Sequence, residues 1–294
     1  VNGAVTIADV NAGTATTDVI TTVALNSYGN STIDSTVLTN LTLGGSGGTL
    51  GINKTTADTT GTATTLNLTV LGGAAVGAIT GTHAADFTTV NVTSSGTGAS
   101  TIAAATFAGA TKIVATNSAK VTFTDNTLAA LTSVDASGST GGFALGTTAI
   151  ATGASFTGGT GADAVVLGAT TKAIAMGAGD DTVTLTADLG AGGTVAGGDG
   201  TDTLVINATA ATFSAPSAQP RISGFETLGL GALANGSYNA AGFTGLTQGA
   251  VAAATTFTNV AAGAGLTLTG VAGFATTVTL NSKSLSSAKV TTSI

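Results

Sequence analysis

Apolar residues recur along this chain in a three-residue alternation with small polar ones. The triplets are Leu41-Thr42-Leu43, Leu66-Asn67-Leu68, Val90-Asn91-Val92, Val121-Thr122-Phe123, Val183-Thr184-Leu185, Leu266-Thr267-Leu268 and Val278-Thr279-Leu280. At the period of a strand both apolar side chains of a triplet face one side and the Thr or Asn faces the other. No stretch settles into the i, i+3, i+4, i+7 spacing of an amphipathic helix, because Gly or Thr interrupts nearly every window. Between the triplets lie clusters such as Gly44-Gly45-Ser46-Gly47-Gly48 and Ser94-Ser95-Gly96-Thr97-Gly98, which tolerate positive φ and turn the chain sharply. Short half-buried strands joined by tight turns predict an all-β chain. Small side chains favour a stack in which each rung buries itself on its neighbours over a sandwich. The expected architecture is a right-handed parallel β-solenoid or β-roll of about fourteen rungs of about twenty residues, with Thr columns bonding between rungs at ~4.8 Å. Residues 1–157 read as solenoid rungs and 158–206 as a distinct roll. Residues 207–294 continue the solenoid after the pattern-breaking segment Ser214–Ile222, which holds Pro216 and Pro220.

Composition sharpens this picture by exclusion. Only 7% of the 294 residues are charged, against roughly 25% in soluble domains. Aromatic residues make up 4%, so the expected core is Val, Ile, Leu and Ala rather than large rings. Zero Cys removes disulfide, zinc–thiolate and iron–sulfur chemistry. A net charge of −7 and a pI near 4.2 leave no basic surface for nucleic acid. No run approaches the ~18 apolar residues of a membrane span. The chain opens at Val1 with neither a basic n-region nor an apolar h-region, and is expected to be an excerpt of a longer secreted protein.

One segment carries recognisable chemistry. Gly158-Gly159-Thr160-Gly161-Ala162-Asp163-Ala164-Val165-Val166 fits the nonapeptide G-G-x-G-x-D-x-U-x at every fixed position, as does Gly197-Gly198-Asp199-Gly200-Thr201-Asp202-Thr203-Leu204-Val205. Between them Met176-Gly177-Ala178-Gly179-Asp180-Asp181-Thr182-Val183-Thr184 departs only at the first Gly. The glycines let a six-residue turn fold with its carbonyls inward, the Asp supplies a hard anionic oxygen, and U plugs the core. Such oxygen cages suit calcium.

The offset of 18 residues from Gly158 to Met176 places one turn over the other after one circuit of the coil. The intervening Leu167–Ala175 keeps Gly168 and Ile174 but carries Lys172 in the Asp slot. One side of the roll is therefore expected to bind metal and the other not. The next offset is 21, and an insertion at Leu185–Ala187 restores register by bringing Val195 into the apolar slot. Two calcium sites follow on one edge. Asp163, Asp181 and Asp202 are the expected carboxylate ligands, with carbonyls from Gly159, Gly161, Gly177, Gly179, Gly198 and Gly200. Asp180 and Asp199 stand beside them as further candidate donors. Six of the 13 Asp (163, 180, 181, 188, 199, 202) fall in this segment, offset only by Lys172. Without a cation that edge repels itself.

These nonapeptides resemble those of repeats-in-toxin (RTX) proteins. The rest of the chain resembles the crystalline surface-layer (S-layer) proteins of the Caulobacter type, through Val1-Asn2-Gly3-Ala4-Val5-Thr6-Ile7, Leu167–Ile174, Gly224-Phe225-Glu226-Thr227-Leu228 and Thr255–Val260. The resemblance implies a lattice-forming segment of a secreted protein that folds on external calcium. Its partners would be copies of itself in a two-dimensional lattice, and cell-surface lipopolysaccharide through a part not recognisable here. The alternatives are a secreted adhesin holding a glycan or matrix ligand and, less favoured, a calcium-dependent polysaccharide lyase.

Weaker signals add little. Gly44-Gly45-Ser46-Gly47-Gly48 fits the nucleophile elbow G-x-S-x-G, but that elbow needs a strand-to-helix turn and a histidine base. The single His, His83, lies in a Thr/Ala/Gly stretch and reads as a turn or surface residue. Glu226 is the single Glu and Arg221 the single Arg, so neither a carboxylate pair built on Glu nor a basic catalytic face is present, and no enzyme is expected. Asp9, Asp18, Asp34, Asp58, Asp86, Asp125 and Asp135 could each help build a less regular calcium site, Asp9-x-Asn11, Asp125-Asn126 and Asp135 with nearby Ser/Gly carbonyls before the others, but the favoured reading of each is a solvated turn residue that caps its own backbone. The Asn-x-Ser/Thr sequons, Asn40, Asn67 and Asn91 among them, carry no weight in so Thr-rich a chain.

Overall fold

The computed structural model describes residues 3–14, 16–54, 62–208 and 221–230, and the later strands Gly236–Asn239, Thr256–Thr258, Leu266–Thr269, Thr279–Asn281 and Thr291–Ser293. The chain is nearly all β, its parallel strands stacked as a β-solenoid of about eight turns. That is fewer than about fourteen, because many turns exceed the expected length: successive stacked residues lie 27 and 24 positions apart at Asn40, Asn67 and Asn91. Among the described residues helical conformation is limited to the 3-10 turn Ala84–Asp86 and to Arg221. The chain divides into two compact units, Val1–Gly161 and Ala162–Ile294.

In the first unit one stack of strands includes Thr22–Asn26, Asn40–Gly44, Thr65–Leu71, Thr89–Ser95 and Lys112–Ala115, paired parallel and in register. A second stack includes Ala75–Thr80, Ser100–Thr106, Val121–Thr127 and Phe143–Ile150. Parallel pairing in register sets like over like, so the inward residue of each triplet joins a column. Leu41, Leu68 and Val92 form one such column and Val76, Ile102, Phe123 and Leu145 another, all buried. The expectation of a core without rings is corrected here. Phe87, Phe107, Phe123, Phe143 and Phe156 are all buried, with Phe123 and Phe143 meeting edge-on at 5.3 Å between centroids. Aromatics are scarce, but one per turn suffices to fill a narrow core.

The outward residues also stack. The Asn67 amide donates to Asn40 Oδ1 at 3.0 Å and the Asn91 amide to Asn67 Oδ1 at 2.8 Å. Thr69 and Thr93 hydroxyls meet at 3.0 Å. At a corner, the hydroxyls of Thr39, Thr88, Thr111 and Thr132 each donate to the carbonyl of a Thr one turn below. The Thr columns thus bond between rungs, mostly through backbone carbonyls.

In the second unit, Ala164–Leu167, Thr182–Leu185, Thr203–Ile206 and Thr227–Leu230 stack parallel, with Val165, Val183, Leu204 and Leu228 in register. The opposite stack is Ala173–Ala178, Thr194–Asp199 and Ile222–Ser223, and it pairs Ile174 with Val195 as the sequence register requires. Leu185 remains in its strand and is buried. The three extra residues therefore lie beyond it, in the loop before Thr194. Arg221 holds that loop, donating to the carbonyls of Gly190 at 2.5 Å, Gly193 at 3.0 Å and Leu189 at 3.3 Å. Pro216 and Pro220 lie outside the described residues. Farther on, Gly236–Asn239, Leu266–Thr269 and Thr291–Ser293 pair parallel, as do Thr256–Thr258 and Thr279–Asn281.

Candidate metal centre

The nonapeptide of Met176 stacks directly on that of Gly197. The strands run farther than a six-residue turn allows, through Gly177 and Gly198, which pair with each other. Positive φ angles of 100° at Gly177, 119° at Gly179, 116° at Gly198 and 137° at Gly200 make glycine necessary at these points. Close approach adds to this. A Cβ on Gly198 would strike the Gly177 carbonyl oxygen, and one on Gly200 would strike that of Gly179. Two of the expected carbonyl donors thus lie between successive turns. Gly159 and Gly161 belong to the first unit, where both are buried and packed on the turn Ser139–Gly142.

Asp163, Asp181 and Asp202, all in the second unit, form one buried column, 1%, 1% and 0% exposed. The backbone N–H of Asp163 donates to Asp181 Oδ1 at 2.7 Å, and that of Asp181 donates to Asp202 Oδ1 at 2.9 Å. The Asp181 and Asp202 carboxylates therefore each span to the turn before. Asp180 and Asp199 are exposed; Asp180 Oδ1 accepts the Thr201 N–H at 2.9 Å, which ties it to the next turn. Burial pushes the Asp202 carboxyl above the usual range against the lowering effect of the Asp181 N–H, and Glu226, Asp180 and Asp199 push it further up. Asp202 Oδ2 is buried and has no hydrogen-bond partner.

These features fit a hard cation. The donors are carboxylate and carbonyl oxygens, and the stacked charges need an offset. No three His, Cys, Asp or Glu side chains converge among the described residues. An ion here would thus take one or two carboxylates and complete its shell from Gly177- and Gly179-type carbonyls and water. Asp163, Asp181 and Asp202 would supply the charged oxygens.

Two residues play parts that the nonapeptide pattern does not reach. Glu226 Oε2 accepts the Asp202 N–H at 2.8 Å and extends the carboxylate column by a turn. Its signal is present in the sequence: Asp181-Thr182-Val183, Asp202-Thr203-Leu204 and Glu226-Thr227-Leu228 share an acid, a Thr and an apolar residue. Arg221, read as isolated, is the clamp on the longer loop.

The first unit corrects other expectations. His83 is not a surface residue but 0% exposed. Its Nδ1 lies 3.1 Å from Asp86 Oδ2, which also pairs with Lys54, and its ring packs on Phe87. Asp9 caps its own loop as expected, accepting from Asn11, Val19 and Ile20, yet it is buried. Desolvation raises its carboxyl, but the three N–H bonds together hold it below the usual range. Asp18 is buried and accepts from Thr36 on the following turn. Asp125 binds Thr148 and Asn126, and Asp135 binds Ser137. Asp58 lies outside the described residues. The segment Gly44–Gly48 is no strand-to-helix elbow: Ser46–Gly47 is a short strand paired with Ala75 and Val76.

No protein-family model matches the chain, and no curated protein matches it.

Proposed function

We propose that this chain is a structural segment of a bacterial surface-layer subunit, secreted to the cell surface, which folds and assembles with calcium held between successive nonapeptide turns. Its role is mechanical rather than catalytic. The observation that carries this reading is the buried column of Asp163, Asp181 and Asp202, one carboxylate per turn in register. Such a column is self-repelling in a dry interior and needs a counter-charge. Calcium would supply that charge and add its binding energy to folding. The chain's own residues do the rest: the glycines bring the turns within carbonyl contact, and the Asn and Thr columns lock successive rungs. Extracellular modules bind calcium at about 10⁻⁴ to 10⁻³ M, a range in which the chain stays unfolded inside the cell and folds after export. The resemblance to surface-layer proteins supports the lattice as the setting, with copies of itself and cell-surface lipopolysaccharide as partners.

The test combines circular dichroism, limited proteolysis and electron microscopy of the whole chain, with and without a chelator. Calcium is expected to protect the Gly158–Val205 region first and then to induce ordered sheets. Spectra and cleavage patterns indifferent to excess chelator would sink the calcium part. Calcium-bound monomers that never associate would sink the lattice.

A secreted adhesin is a second reading, favoured by one surface feature in the first unit. Asn30, Thr32, Thr49, Gly51, Asn53 and Thr80 line an open groove of about 450 Å³ that has no charged side chain and mixes amides and hydroxyls with a larger apolar surface. That is chemistry for a neutral glycan, and glycan-array binding lost on Asn53→Ala would support it.

A further inference from the structure

The carboxylate column does not stop at the last nonapeptide. Asp202 donates its N–H to Glu226 Oε2 at 2.8 Å, the same bond that Asp163 makes to Asp181 at 2.7 Å and Asp181 to Asp202 at 2.9 Å. Strand register places Glu226 over Asp202, since Thr203 pairs with Thr227 and Leu204 with Leu228. The turn that presents it is anchored by Phe225, which is buried, and bent at Gly224, whose φ is 67°.

Three oxygens of this pair of turns bear on a ligand. Asp202 is 0% exposed, and while its Oδ1 accepts the Asp181 N–H, its Oδ2 has no hydrogen-bond partner. That orphaned oxygen and the Gly224 carbonyl oxygen crowd the same place, the Cα of Gly197: a Cβ built there would lie 2.5 Å from Asp202 Oδ2 and closer still to Gly224 O. Glu226 brings the second carboxylate from above. A buried carboxylate oxygen left unsatisfied is costly, and a second carboxylate beside it adds repulsion. Donors that are all oxygen, mixing carboxylate and carbonyl, select a hard divalent ion over a soft or nitrogen-seeking one.

We infer that Asp202 and Glu226, with the Gly224 carbonyl, hold a calcium ion between the last nonapeptide turn and the Gly224–Glu226 turn. The inference rests on the calcium reading above and adds a site that lies outside the nonapeptide pattern. Glu226 thereby becomes the residue that closes the metal-binding stack.

Native mass spectrometry and calorimetry of the whole chain with calcium alone test it, on wild type, Glu226→Gln and Asp181→Asn. Glu226→Gln is expected to bind one ion fewer than wild type and to keep the rest. Asp181→Asn is expected to lose nonapeptide ions while retaining one that disappears in the double variant. Equal stoichiometry and affinity in wild type and Glu226→Gln overturn this site and leave the nonapeptide sites standing. A wild type that binds no calcium overturns both. Should Glu226→Gln fail to fold, Glu226→Asp keeps the charge on a shorter arm. Its calcium affinity at one site is expected to fall roughly tenfold or more at unchanged stoichiometry, and an unchanged affinity overturns the inference.

Discussion

Asp181 Oδ1 accepts the backbone N–H of Asp163 from 18 residues away, at 2.7 Å, with both residues buried. One side chain thus serves as the backbone acceptor between turns and as a buried charge, and substitution separates the two roles. Asp181→Asn keeps an acceptor oxygen and removes the charge; Asp181→Ala removes both and strands the Asp163 N–H, at a cost of about 1–3 kcal/mol. In chelator, Asp181→Asn is expected to be at least as stable as wild type and Asp181→Ala clearly less stable. In millimolar calcium the order of wild type and Asp181→Asn should reverse. Thermal unfolding in both conditions checks this, and equal loss in the two variants without calcium would show that the retained amide oxygen contributes nothing and that the charge itself is stabilising there.

The glycines of the nonapeptides differ in what they demand. Gly200 has φ of 137° and a Cβ there would meet the Gly179 carbonyl, whereas Gly168 is outside the positive-φ set and has nothing within 4 Å of a Cβ. Gly200→Ala is expected to cost about 1–3 kcal/mol through backbone strain and the clash. Gly168→Ala should stay within about 0.5 kcal/mol of wild type. Chemical denaturation of both variants is the measurement, and a neutral Gly200→Ala would mean that the turn shifts to another conformation without penalty.

The strands were legible because period-2 alternation survives in short triplets, and all the triplets in the first 230 residues lie within observed strands. Their pairing followed only where the repeat length was constant. Val195 came into register with Ile174 because the nonapeptide offset could be counted. Glu226 escaped the same count because its turn is 24 residues long, not 18 or 21. His83 was misplaced for a different reason. Local composition says how polar a segment is, not which neighbour covers it, and His83 is buried by packing against Phe87 and the Lys54–Asp86 pair. The six buried Phe residues were missed because a low aromatic percentage was spread over the whole chain, while in the fold the rings fall inside the stack.

The polar and apolar residues of a single strand should differ sharply in worth. Leu68 is 0% exposed in the column of Leu41 and Val92, and Leu68→Ala is expected to cost about 2–5 kcal/mol as a core cavity. Its neighbour Asn67 bridges Asn40 and Asn91 on the exposed face. Because water replaces those amide bonds, Asn67→Ala should cost about 1 kcal/mol or less. Urea unfolding of the two variants decides it. A loss at Asn67 as large as that at Leu68 would mean the amide column, rather than the core, holds these rungs together.

His83 is expected to make the first unit sensitive to mild acid. Burial pushes its imidazole below the usual value of 6.5, outweighing the raising effect of the Asp86 carboxylate, and Nε2 is buried without a hydrogen-bond partner. Protonation puts a charged N–H where no acceptor waits. The folded state then binds the proton less well than the unfolded chain, so His83's contribution to stability is complete above the unfolded value and is lost as pH falls toward the folded one. The melting temperature of wild type relative to His83→Asn should therefore decline between about pH 7 and pH 5, a window set by the ordinary histidine value of about 6.5. The comparison with the variant cancels the carboxylates, including Asp202, whose raised value acts with the opposite sign. Parallel melting curves for the two proteins across that range would show that the ring titrates as freely in the fold as in the open chain, contrary to its burial against Phe87.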